Sequence, residues 1–197
     1  MKLIIASNNQ HKVIEIKAIL GDYFEQILSL RDAGIDIDVE EDADTFEGNA
    51  LKKASEIFKA VNCDAVLSDD SGLEVDALGG APGVYSARYA GEGHDDEANN
   101  AKLLENMKDI PDEKRTCRFV SAVALVRRDK EPMVVRGAVE GRLLYAARGE
   151  NGFGYDPLFF YEPFNKSFAE LTPEEKNTVS HRKRALEAMR ELLEQEK

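Results

Sequence analysis

Only two cysteines, Cys63 and Cys117, occur among the 197 residues. They lack the C-x-x-C spacing of zinc and redox sites, and two make no disulfide framework. Both therefore read as reduced core residues of a cytoplasmic protein. Apolar runs are short as well. None approaches the roughly 18 residues of a membrane-spanning helix. The first run, 3–6, passes straight into the polar SNNQHK, which is not how a secretory signal reads. Positive charge is also scarce: 26 Lys and Arg against 38 Asp and Glu give a net charge of −12. Such a field repels nucleic-acid backbones and membranes, so polymeric nucleic acid and membrane surfaces are excluded as partners. Any anionic ligand must then be met by locally concentrated cations. Internal repeats, linkers and low-complexity segments are absent.

The chain is 43% hydrophobic and 32% charged, ordinary for a globular protein, and its length fits one domain over 1–197 with two lobes around a cleft. Strands and helices alternate. Residues 2–6 (KLIIA) read as a strand, and Ser7 with Gln10 resembles a capping box opening a helix to about Leu20. A strand is predicted over 24–30, and a half-buried one over 35–39, where Ile35, Ile37 and Val39 alternate with Asp36 and Asp38. Asp44 followed by Glu47 suggests the next helix, ending near Val61, before a buried strand over 64–68. The glycine-dense 79–93 must be loop or tight turns, and a helix runs from Asp95 to about Met107. Residues 116–128 and 132–145 look like an antiparallel hairpin. Thr172, Pro173 and Glu175 open a short helix, and Ala185, Leu186, Met189, Leu192 and Leu193 give the last helix its buried face.

Four stretches carry chemistry. In SNNQHK (7–12) a strand ends, small polar residues turn the chain, and Lys12 enters the following helix. Free N–H groups at a helix N-terminus attract phosphate and a lysine adds charge, although the glycines of a Walker loop are missing. In isolation Ser7 reads first as a plain helix cap. At SDDSG (68–72) two carboxylates, Asp69 and Asp70, fall where a strand ends and a turn follows, the place where open α/β sheets bind ligands. Hard oxygens there suit Mg²⁺ and, without a His or Cys cluster, disfavour zinc; an exposed turn is the alternative. The acidic run 40–44 has the form of a solvated surface, yet Glu40 or Glu41 is a candidate second metal ligand. In 149–160 and 169–186, Phe153 and Tyr155 offer flat faces for a base, while Lys176, His181 and Arg182 supply donors. Core packing and a solvated basic stretch are the alternatives here.

Together these stretches resemble the inosine triphosphate pyrophosphatase family, house-cleaning enzymes that remove deaminated purine nucleotides. The likeness covers nearly the whole chain and is most specific at SDDSGLEVDALGGAPGVYSARYAG (68–91), GFGYDPLFF (152–160) and SHR (180–182). SNNQHK looks like the family's opening, with Ser7 for a common threonine and Asn8 where glycine is frequent; asparagine also tolerates the left-handed conformation.

The resemblance implies an elongated mixed α/β sheet with flanking helices and two lobes around a central active-site cleft, and a homodimer. It implies that Ser7, Asn8, Asn9, Gln10, His11 and Lys12 hold the triphosphate, with Lys53 as a further phosphate contact. Glu40 and Asp70 would bind Mg²⁺, and Asp70 would also accept the proton, with Ser71 touching substrate beside it. Phe153, Gly154, Tyr155, Asp156, Lys176, His181 and Arg182 would hold the base and sugar. The activity implied is Mg²⁺-dependent hydrolysis of ITP, dITP, XTP and dXTP to monophosphate and pyrophosphate. Two rivals stand beside it: a Maf-type pyrophosphatase acting on modified pyrimidines, and a purine-nucleotide sensor that does not hydrolyse.

Overall fold

The computed structural model describes residues 1–196; Lys197, the last position of the expected domain, lies outside the described residues. Seven strands form one sheet in the order β2-β1-β3-β4-β5-β6-β7: β1 (Lys2–Ile5), β2 (Gln26–Ser29), β3 (Ala65–Val75), β4 (Thr116–Arg127), β5 (Met133–Leu143), β6 (Phe159–Tyr161) and β7 (Lys166–Ser167). Five α-helices accompany them among the described residues: α1 (Gln10–Leu20), α2 (Phe46–Ala60), α3 (Asp96–Asn106), α4 (Pro173–Val179) and α5 (His181–Gln195). The sheet is mixed, as expected. β1 pairs in parallel with β2 and β3, while β6 pairs antiparallel with β5 and β7. Parallel neighbours need a crossover, and α1 and α2 fall where those crossovers must run.

The chain divides into two compact units. The first comprises Met1–Asp70, Ser121–Gly137 and the chain from Arg182; the second comprises Ser71–Val120 and Ala138–His181. In the first unit, Leu3, Ile5 and Leu67 from the parallel strands pack with Val13, Ile16 and Leu20 of α1 and Ala185, Leu186, Met189 and Leu193 of α5. The three- and four-residue spacings on both helices give each one apolar stripe, and burying such stripes supplies most of their stability. Leu192 is only half-buried. The second unit has its own core, where Phe119 lies 4.6 Å from Phe159 and 5.6 Å from Phe168, centroid to centroid. Arg115 is buried beside it without a carboxylate, donating instead to the carbonyls of Met107, Ile110, Leu143 and Leu144.

Several local expectations need correction. α1 is capped by Asn9, not Ser7: Asn9 Oδ1 accepts from the N–H groups of His11 and Lys12, while Ser7 Oγ accepts from Asn9 N. Asn8 has no positive φ; its Oδ1 accepts from Arg31 N at 2.8 Å and ties the start of α1 to the end of β2. Residues 35–39 form no strand, although Ile35 and Ile37 are half-buried, Val39 is buried and the aspartates are exposed. The alternation reports a chain lying extended on the body without a ladder partner. Thr45 replaces Asp44 as the cap of α2, accepting from Gly48 N.

The strand predicted to end at Ser68 continues to Val75, so Asp69, Asp70, Ser71 and Gly72 lie inside it rather than in a turn. Gly72 marks a close approach: a Cβ there would meet Ser86 Oγ and stand 2.8 Å from Gly83 O. β4 and β5 are neighbours in the sheet, joined by 128–132. Phe119 to Val126 of β4 are all buried, as befits an interior strand covered on both faces.

Cys63 and Cys117 are free and buried, and burial pushes both thiols above the ordinary range. Neither is expected to react with an aromatic disulfide reagent at pH 8 in the native protein, and both are expected to react once it is denatured. A rapidly titrating thiol in native protein would contradict this burial.

Candidate active site

Side chains alternate along β3, so the adjacent carboxylates Asp69 and Asp70 project from opposite faces of the sheet. Their partners confirm it. Asp69 meets α1 and α5, whereas Asp70 and its even-numbered neighbour Ser68 meet α2. What looks in sequence like a carboxylate pair is two separate devices.

Asp69 is 5% exposed, and its Oδ2 receives both Lys12 Nζ at 3.0 Å and Arg182 Nε at 3.1 Å. Arg182 is 6% exposed and places a terminal nitrogen 3.3 Å from Glu15 Oε2, one turn beyond Lys12 on α1. Two cations thus face two anions. Burial alone pushes the Asp69 carboxyl up, but the Lys12 and Arg182 charges reverse this and hold it well below the usual carboxylate range. Arg182 is raised for the reciprocal reason: burial opposes its charge, and Asp69 and Glu15 overcome that. Lys12 and Arg182, expected to face ligand, are therefore already oriented by protein groups. Two of the five guanidinium donors of Arg182 are used in these bonds.

On the other face, Asp70 is half-buried, and its Oδ2 accepts from Asn49 Nδ2 at 3.0 Å. The same buried amide accepts Ala43 N at 2.8 Å through Oδ1, so Asn49 links Asp70 to the acidic run 40–44. That run is further pinned by Lys53 to Glu41 at 2.7 Å and by Lys52 to Asp42 at 2.5 Å. Lys53, expected as a phosphate contact, is thus paired with Glu41. Glu40 is exposed, and Ser71 lies half-buried next to Asp70.

At the opening of α1 two first-turn N–H groups are occupied by the Asn9 cap, so the free N–H cradle expected there is partly filled. Asn8, Asn9, Gln10 and His11 are exposed, while Ser7 and Lys12 are half-buried.

In the second unit, Asp156 is 2% exposed and its Oδ2 accepts from Lys176 Nζ at 2.5 Å and from Phe153 N at 2.9 Å. Gly152 must be glycine: its φ is +80°, and a Cβ would strike Asp156 Oδ2. Phe153 is 62% exposed with Lys176 Nζ 4.7 Å from its ring centroid, so an open aromatic face lies beside a cation. Tyr155 corrects the expectation of a second flat face: it is 5% exposed, and its hydroxyl donates to Ser86 O at 2.7 Å. Gly154 is held on both sides, its N–H donating to Asp96 Oδ2 at 2.6 Å and its carbonyl accepting from Asn100 Nδ2 at 2.8 Å. His181 stacks on Phe119 with ring centroids 5.2 Å apart.

Asn49, Glu15, Asp96 and Asn100 were not singled out in the sequence. Only Asn49 carried a signal, an amide sitting in the apolar stripe of α2 between Phe46 and Ala50.

The mixed seven-stranded sheet with its flanking helices defines the chain as an α/β protein. The chain belongs to the Ham1 family, whose model matches residues 3–192. The dITP/XTP pyrophosphatase of Clostridium perfringens is 53% identical over 197 residues, covering 98% of this chain and 97% of that protein. The protein of the same name from Bacillus subtilis is 49% identical and covers 97% of this chain and 96% of its own. Among solved structures, the Ham1 protein of Staphylococcus aureus superposes with a TM-score of 0.92 at 42% identity over 100% of both chains. A nucleoside-triphosphatase / dITP/XTP pyrophosphatase of Mycobacterium abscessus gives 0.81 at 47% identity, covering 96% of this chain and 98% of that one. The family resemblance and the fold class expected from sequence are both borne out. No described helix is long and apolar enough to cross a membrane.

Proposed function

We propose that this chain hydrolyses ITP, dITP, XTP and dXTP to the nucleoside monophosphate and pyrophosphate, cleansing the cytoplasmic nucleotide pool. The observation that carries the reading is the division of labour on β3. One carboxylate, Asp69, holds two cations, and its neighbour Asp70 is turned the other way and oriented by an amide. Both lie in a chain about half identical to proteins named for that reaction.

In this reading Ser7, Asn8, Asn9, Gln10, His11 and Lys12 take the triphosphate, with Lys53 contributing after exchanging Glu41 for phosphate. Phe153, Gly154, Tyr155, Asp156, Lys176, His181 and Arg182 serve the base and sugar end. Phe153 gives the stacking face, Lys176 and Arg182 the donors, and Tyr155 supports the loop from below. Asp70 accepts a proton from a water attacking the α-phosphorus; the new P–O bond forms as the bridging P–O bond breaks and pyrophosphate leaves. Ser71 contacts substrate beside it.

The donor set fits Mg²⁺. Among the described residues no group of three or more His, Cys, Asp or Glu side chains converges on one point. One or two carboxylates with water and phosphate is how this ion is usually held. Asp70 and Glu40 are the residues proposed to hold it. Bound there, the ion would neutralise charge on the phosphate oxygens. A panel of nucleoside triphosphates with Mg²⁺, scored for monophosphate and pyrophosphate, tests the reading. Release from ITP and XTP that stops in EDTA is expected; undiminished turnover in EDTA, or cleavage of modified pyrimidines alone, overturns it. We also propose a homodimer, in keeping with the family resemblance; on β5, Met133 and Val135 pack against the first unit's core and Val134, on the opposite pleat, is half-buried. Light scattering at micromolar concentration is expected to give twice the chain mass, and a monomer mass contradicts it.

A further inference from the structure

We infer that Asp69 is a positioning residue that sets both the phosphate-binding ammonium of Lys12 and the base-reading guanidinium of Arg182, an inference that rests on the function proposed above. The geometry is unusual for an ion pair. A single oxygen, Asp69 Oδ2, meets cations from two helices, Lys12 of α1 and Arg182 of α5, at 3.0 and 3.1 Å. The carboxylate is on an interior strand and 5% exposed, so it cannot follow a moving partner. Lys12 and Arg182 are long side chains, and holding them in one rotamer costs entropy that substrate binding would otherwise have to supply. Asp69 meets that cost in the folded state. Glu15 supplies only a second bond, to Arg182 alone at 3.3 Å from α1.

The consequence is specificity as well as rate. An arginine free to rotate can point donors at either a 6-oxo or a 6-amino purine with water between, whereas a fixed one accepts only the oxo group. Asp69→Asn is therefore expected to lower the dITP to dATP ratio of kcat/KM at least tenfold. That ratio is independent of how much protein is folded, so a purely structural defect would not move it. Asp69→Glu, which restores the charge on a longer arm, is expected to recover stability but not the ratio. Glu15→Gln is expected to keep the ratio within about twofold. Where turnover of a variant is too slow to measure, calorimetric dissociation constants for IMP and AMP give the same comparison. An unchanged ratio in Asp69→Asn, or an equal fall in Glu15→Gln, overturns the inference. A wild type that cleaves neither dITP nor XTP overturns the proposed function itself, a separate outcome.

Discussion

Asp70→Asn is expected to abolish nearly all turnover, by roughly 10³-fold or more in kcat, while leaving the fold intact. Loss of the carboxylate removes the proposed proton acceptor and one proposed Mg²⁺ ligand together. The fold should survive because the change is isosteric: Asn49 Nδ2 donates to Asp70 Oδ2 at 3.0 Å, and the carbonyl of an asparagine can still accept that bond, more weakly. The residue is only half-buried, so a melting temperature within about 4 °C of wild type is expected, corresponding to roughly 1 kcal/mol for a chain of this size. Glu40→Gln should act in the same direction but less severely, since Glu40 is exposed and water can complete the shell. Full activity in a folded Asp70→Asn protein would remove Asp70 from the mechanism.

The contrast with Asp69 shows what the sequence could and could not convey. Composition and periodicity predicted a helix to about Leu20, another from Asp95 to about Met107 and the start of a third at Thr172-Pro173, because apolar stripes and the proline-and-acid first turn are local. They failed where a segment's state depends on distant partners. Residues 35–39 alternate as a strand does but find no ladder, and β3 runs through Asp69-Asp70-Ser71-Gly72, four residues with poor strand propensity. Tertiary context overrides propensity there: Gly72 is required by the approach of Ser86 and Gly83, and the aspartates are answered by Lys12, Arg182 and Asn49. Adjacent letters read as one acidic pair, and only the pleat separates them onto two faces. A partner such as Glu15, at a sequence separation of 167 from Arg182, leaves no local trace, whereas Asn49, 21 residues from Asp70, shows only as an amide within the apolar stripe of α2.

Preference for ITP and XTP over ATP is expected to be large, on the order of 10⁴ in kcat/KM, and to depend on Arg182. Hypoxanthine and xanthine present an acceptor oxygen at position 6, whereas adenine presents an amino donor. A guanidinium carries only donors, so adenine would leave donor facing donor at the proposed contact with the buried Arg182. Lys176 is held on Asp156 at 2.5 Å and lies beside the exposed face of Phe153, a face on which any purine would stack alike. The choice is therefore left to the donors. Arg182→Ala should carry two effects that can be separated. It strips Asp69 and Glu15 of a buried counter-ion, and breaking a buried pair in this way typically costs about 3–5 kcal/mol. It should also lower kcat/KM for ITP far more than for ATP. The first effect scales both substrates alike through the folded fraction, and the second changes their ratio. Equal cleavage of ATP and ITP by the wild type, or a ratio untouched by Arg182→Ala, would take the base-reading role away from this arginine.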